Sequence, residues 1–137
     1  FIDEHGYIHD SNRPFIYGSP TNTNGSGIAN SMHVISSQNL SFSNSRITVP
    51  VSGVYHICFN TICDDGTGRV DAHIYVNGGA RVNSLNDTNT SGYHYRGMSI
   101  SLMLSANDYI QFNNNDWYDY TSTTQQFWRT ASVVFLG

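Results

Sequence analysis

Hydrophobic and polar positions alternate with a period of two along most of the chain. Tyr55, Ile57 and Phe59 alternate with His56, Cys58 and Asn60. Val70, Ala72, Ile74 and Val76 alternate with Asp71, His73 and Tyr75. Ile100, Leu102 and Leu104 alternate with Ser99, Ser101 and Met103, and Ile110 and Phe112 with Gln111 and Asn113. This is the spacing of strands that bury one face, because successive side chains of an extended chain point to opposite sides. No segment carries a helical stripe. The breaks are turn chemistry: Val51-Ser52-Gly53 after Pro50, Ala106-Asn107-Asp108, and above all Asn77-Gly78. Asn-Gly is the strongest hairpin signal, since both central residues of a type I′ turn need positive φ.

The pattern predicts strands near 14–20, 31–36, 40–49, 53–63, 69–77, 80–84, 95–105, 109–113 and 126–136. Short strands at this density imply an all-β sandwich or barrel. A chain of 137 residues is enough for one core and too short for two domains of usual size. Residues 1–13 are less patterned and read as a lead-in from a stalk or preceding domain, with 14–137 as the folded domain. An opening at Phe1 without Met fits a piece of a longer protein.

Composition narrows the function. Lysine is absent and Glu4 is the only glutamate, so two strong helix formers are nearly missing. Aromatic residues make up 13% of the chain, which supplies the apolar area that a disordered segment lacks. A net charge of −4 gives no reason to expect nucleic acid, which is gripped first by Lys and Arg on phosphates. No apolar run approaches the length of a membrane span, so no membrane insertion is expected. Gly-x-Ser-x-Gly, His-Glu-x-x-His, P-loop and Cys-x-x-Cys motifs are all missing, and paired-carboxylate chemistry would rest on aspartates alone. The expectation is a binding protein, not an enzyme, with no cofactor. Two weak metal candidates stand beside it. Asp64 and Asp65, in Asp64-Asp65-Gly66-Thr67-Gly68, offer oxygen ligands for calcium but lack the spacing of a known loop, so a solvated turn is the plainer account. His56 is the other: symmetric copies of it would hold a metal ion only in an assembly about an axis, and a packed histidine is the plainer account.

Several motifs together carry a family resemblance. Ile47-Thr48-Val49-Pro50 and then Gly53-Val54-Tyr55 resemble the opening of the central part of the complement C1q-like globular head, a relative of the tumour necrosis factor fold. Tyr75-Val76-Asn77-Gly78 resembles that family's strand and hairpin. Ser99, Ser101, Leu102 and Leu104, followed by Asn107-Asp108-Tyr109-Ile110, resemble its Ser-rich strand and Gly-Asp turn. Ala131-Ser132-Val133-Val134-Phe135-Leu136 resembles its closing strand. Order and spacing agree from Pro14 to Leu136. Asn107 stands where the family prefers Gly, a mild change because Asn tolerates positive φ; Val134 also stands where a Gly is usual. Gly6-Tyr7-Ile8 followed by Arg13-Pro14-Phe15 resembles the lead-in of C1q-like heads that end bacteriophage tail and fibre proteins.

The resemblance implies a ten-strand jelly-roll sandwich that forms a homotrimer. In that family the outer faces of two central strands line the three-fold axis. Carried over, the interface residues are His56, Cys58 and Asn60 on one strand and Ser99, Ser101 and Met103 on the other. Cys and Met are unusual choices for positions left in water.

An alternating strand path sends the short turns to one end and the longer segments 18–27, 64–68, 85–94 and 114–124 to the other. Long loops at one end of a rigid sandwich are where recognition is usually carried. The content there suits sugar or protein recognition, with Asn86, Asp87, Tyr93, His94, Trp117, Tyr118 and Tyr120 as the expected contact residues. The reading is a trimeric receptor-binding head of a phage fibre on a virion, recognising a host-cell surface glycan or protein. Two alternatives stand beside it: a secreted eukaryotic C1q-like ligand, and a structural trimerisation or capsid-decorating domain without receptor.

Cys58 and Cys63 are the only cysteines. On one strand they lie ~16 Å apart at ~3.3 Å per residue, beyond the ~7 Å that a disulfide allows between Cα atoms. Thiol titration of the denatured, unreduced chain should therefore find both sulfurs free, and finding neither would mean that the strand breaks between them.

Overall fold

In the computed structural model, residues 4, 12–24, 27–64, 68–88, 93–115, 117 and 128–137 are described, with backbone alone at 63–64, 68–70, 84–88 and 93–94. Among the described residues are eleven strands: β1 (Phe15–Thr21), β2 (Gly27–Ile28), β3 (Ser31–Gln38), β4 (Phe42–Ser43), β5 (Arg46–Thr48), β6 (Gly53–Asp64), β7 (Gly68–Val76), β8 (Gly79–Thr88), β9 (Tyr93–Leu104), β10 (Tyr109–Asn114) and β11 (Thr130–Phe135). One sheet runs β3-β1-β11-β6-β9 and the other β4-β5-β10-β7-β8, with β2 added beside β10. Every pairing is antiparallel. From β9 onward each strand lies in the sheet opposite its predecessor. The result is a jelly-roll sandwich.

The core lies between the sheets, where the alternation predicts it. Tyr55, Ile57 and Phe59 point inward from β6 and are fully buried, as are Ile74, Ile110 and Phe112 from the facing sheet. Phe59 and Phe112 meet across the sandwich with ring centroids 5.0 Å apart. Burying side chains of this size contributes roughly 1.5–3 kcal/mol each. The buried Tyr55 phenol donates to the Val51 carbonyl at 2.8 Å, and burial raises its pKa above the ordinary phenol value.

Three expectations need correction. The expected strand 40–49 is two strands, β4 and β5, joined by a two-residue turn at Asn44 (φ 52°) and Ser45 (φ 59°). Ser at positive φ carries no sequence signal of the kind that Asn-Gly does. The strand expected at 80–84 extends to Thr88, and β9 starts at Tyr93. Ladder pairing with β7 and β6 continues through these polar residues because it satisfies the backbone groups that face those strands, whatever the side chain. The strand number is eleven among the described residues, against the nine that periodicity predicts and the ten that the resemblance implies, since β2 and the β4/β5 break are both invisible to periodicity.

The short turns are locked together. Asn77 (φ 51°) and Gly78 (φ 79°) make the tight turn the dipeptide predicts. Asn107 takes φ 76°, the left-handed conformation that Gly would otherwise supply. The Asp108 carboxylate accepts from Asn77 Nδ2 at 2.9 Å and from the Ser105 backbone N–H at 2.8 Å. Tyr109 N–H donates to Asn77 Oδ1 at 3.0 Å, and Ala106 N–H donates to Ser52 Oγ at 2.9 Å. Gly53 is required by close approach: a Cβ there would collide with the Phe135 ring.

The Asn77 amide, and then the Ser105 N–H, hold the Asp108 carboxyl below the usual carboxylate range. A lowered folded-state pKa gives stability that is present above the unfolded-state value and is lost as pH falls through the folded-state value. Wild type should therefore melt above Asp108→Asn at neutral pH, and the gap should close on acidification below the carboxylate range. A gap that stays constant with pH would show that the carboxylate charge contributes nothing.

Candidate binding surfaces

Antiparallel register places directly opposed residues on the same face of a sheet. In the five-stranded sheet, Cys58 lies between Ser132 and Ser99, and His56 lies between Val134 and Ser101. Asn60 lies between Thr130 and Gly97, and Val54 pairs with Met103. The six residues expected at an interface, His56, Cys58, Asn60, Ser99, Ser101 and Met103, thus share one outward face. None of the residues in these rows carries a formal charge with His neutral. Met103 is 73% exposed, and Tyr95, at an outward position further along β9, is 65% exposed. β9 is also an edge strand of the sheet.

The centre of that face is internally organised. His56 Nδ1 lies 2.8 Å from Ser101 Oγ, and His56 Nε2 lies 3.3 Å from the Cys58 sulfur. Cys58 is a free thiol and is half-buried. Asn60 Nδ2 donates to Thr130 Oγ1 at 3.4 Å. Gly97 makes room for the Asn60 amide, because a Cβ at 97 would stand 2.8 Å from Asn60 Oδ1.

Strand direction places the described strand residues of the second set at the end away from the short turns. Asn86 and Asp87 are strand residues paired with Val70 and Arg69 near the end of the β7–β8 ladder. Tyr93 and His94 pair with Asp64 and Cys63 at the end of the β6–β9 ladder. All four were expected in a loop and instead stand on strand ends, in two different sheets. Tyr118, Tyr120 and Asp65 lie outside the described residues. Asp64 is the last residue of β6. Among the described residues of one chain, no three His, Cys, Asp or Glu side chains group as metal ligands.

Trp117 corrects the expectation of an exposed anchor. It is only 3% exposed and belongs to the core cluster. Its ring packs against Phe59 at 5.8 Å between centroids, and Nε1 donates to the Gly27 carbonyl at 2.7 Å. An indole with its N–H satisfied by backbone is more stable inside than in water. Sequence reasoning also missed the polar residues buried beside it. Asn114 and Thr61 are fully buried, and Asn114 Nδ2 donates to Thr61 Oγ1 at 2.9 Å, linking the two sheets. Asn22 is 8% exposed and donates to the Ile28 carbonyl at 2.6 Å. Arg129 is 6% exposed. Polar residues next to turn-rich sequence read as solvated, and no period marks them otherwise.

No family model matches the sequence, and no curated protein matches it. Among solved structures the chain is similar to murine APRIL, with a TM-score of 0.69 at 13% identity, over 90% of this chain and 99% of that one. The fold is therefore a jelly roll of the tumour necrosis factor and C1q type.

Trp117→Ala should destabilise the domain by ~3–5 kcal/mol, the usual cost of emptying a large aromatic site in a core, while Trp117→Phe should cost less. Denaturant melts of the two variants give the measurement, and a neutral Trp117→Ala would place the ring outside the core.

Proposed function

We propose that the chain is the head of a homotrimeric attachment protein, carried at the tip of a phage fibre, that binds a glycan or protein on the host-cell surface. The observation that carries the reading is the uncharged outer face of β6 and β9. Exposed large hydrophobics such as Met103 and Tyr95, on a sheet face without charge, support an interaction site there. The long edge strand β9 adds to the argument, since unpaired strand edges are normally short, charged or covered. The jelly-roll fold suits the assembly, and the fibre setting rests on the resemblance of the segment around Gly6-Tyr7-Ile8 and Arg13-Pro14-Phe15.

Recognition then falls to the end opposite the locked turns. With Trp117 committed to the core, the contact residues proposed there are Asn86, Asp87, Tyr93 and His94 on the strand ends, together with Tyr118 and Tyr120. No helix among the described residues is long and apolar enough to cross a membrane. The proposed location is the virion surface, outside the cell.

Ser101→Arg is the test, because it brings three like charges onto a face with little water to screen them. Light scattering should give the mass of three 15.3 kDa chains for wild type and of one for the variant. Binding of labelled protein to intact cells across a panel of bacterial strains should be saturable for wild type on at least one strain. The variant should bind that strain about 10²-fold or more weakly, through lost multivalency. A wild-type protein with the mass of one chain refutes the assembly, and a trimer that binds no strain refutes the receptor.

A further inference from the structure

The trio at the centre of the outer face has the form of part of a metal site. Ser101 Oγ stands 2.8 Å from His56 Nδ1. When the hydroxyl accepts from Nδ1–H, the lone pair is left on Nε2, the nitrogen that faces Cys58 at 3.3 Å. A hydrogen-bond partner on the far ring nitrogen fixes the tautomer and ring orientation of metal-binding histidines. The spacing fits as well. Zn–S of about 2.3 Å and Zn–N of about 2.0–2.1 Å at a tetrahedral angle put the two donor atoms about 3.5 Å apart. A thiolate with an imidazole selects a borderline-soft cation of the zinc class over calcium or magnesium, which take oxygen.

One chain supplies two donors and three chains six, while a closed zinc site takes four, so one chain gives its Cys58–His56 edge and each of the other two gives one donor. We propose that Cys58 and His56, oriented by Ser101, form one edge of a zinc-class metal site whose remaining ligands come from the other copies of the trimer. The inference rests on the trimer reading above, which brings these faces together. Binding releases the Cys58 thiol proton, and the metal replaces it as the partner of the sulfur. Neighbouring rows of the face, with Val54, Ser99, Ser132 and Val134, offer no competing carboxylate.

Cobalt(II) reports on such a site, since a thiolate ligand gives a near-ultraviolet charge-transfer band. The chelator-stripped, reduced protein is first weighed by light scattering and then titrated anaerobically with cobalt. The expected result is a trimer that develops the band at one cobalt per three chains and releases the metal to zinc. Cys58→Ser should abolish the band, His56→Gln should remove tight binding, and Ser101→Ala should weaken affinity about 10- to 100-fold, all three remaining trimeric. A trimer that shows no band, a band that persists in Cys58→Ser, or one cobalt per chain overturns the shared site while leaving the assembly intact. The mass of a single chain overturns both.

Discussion

The register of β6 against β9 is the constraint on which the other features depend. The ladder runs without a slip from Gly53–Leu104 to Asp64–Tyr93. Because side chains alternate with a period of two, a shift of one residue would turn Tyr55, Ile57 and Phe59 outward and bring His56, Cys58 and Asn60 into the core. The same register therefore specifies the core and the composition of the outer face. β11 reads the other edge of β6 and places Ser132 and Val134 in line with Cys58 and His56. The hydrogen bonds of His56 to Ser101 and Cys58 follow from that alignment rather than from any special backbone geometry.

Much of this was legible in the sequence because its cause is periodic. The inward faces of β6, β7 and β10 follow from alternation, and the turn at Asn77-Gly78 follows from its φ requirement. What escaped was non-periodic. The Asn44-Ser45 turn lacks a glycine. The extension of β8 through Asn86 and Asp87 is a backbone ladder that polar side chains neither favour nor prevent. The co-facing of His56, Cys58, Ser99 and Ser101 was legible, since it needs only the alternation and the pairing of two strands. Their hydrogen bonds needed the register to the residue.

Trp117 shows where composition misleads. An aromatic residue among Asn, Asp and Tyr looks like a recognition loop, and the segment does lie beyond the end of β10. Yet the sandwich has to be closed at that end as well as along its faces, and a large ring with one donor is suited to closing it. The neighbouring Asn114–Thr61 bond serves the same closure from the polar side. Buried amide and hydroxyl groups there join β10 to β6 across the two sheets, where apolar packing alone would leave the backbone at the strand ends unpartnered.

The edge position of β9 has a consequence for the life of the newly made chain. Its outward ladder groups and its uncharged face lie on the same strand, so one chain by itself exposes a template for strand addition beside a face with no charge to oppose a neighbour. Such an edge carries little to repel a wrong partner while it stays uncovered. Local concentration during synthesis then matters as much as stability. In the proposed trimer, covering that edge soon after folding shortens the interval in which misassociation competes.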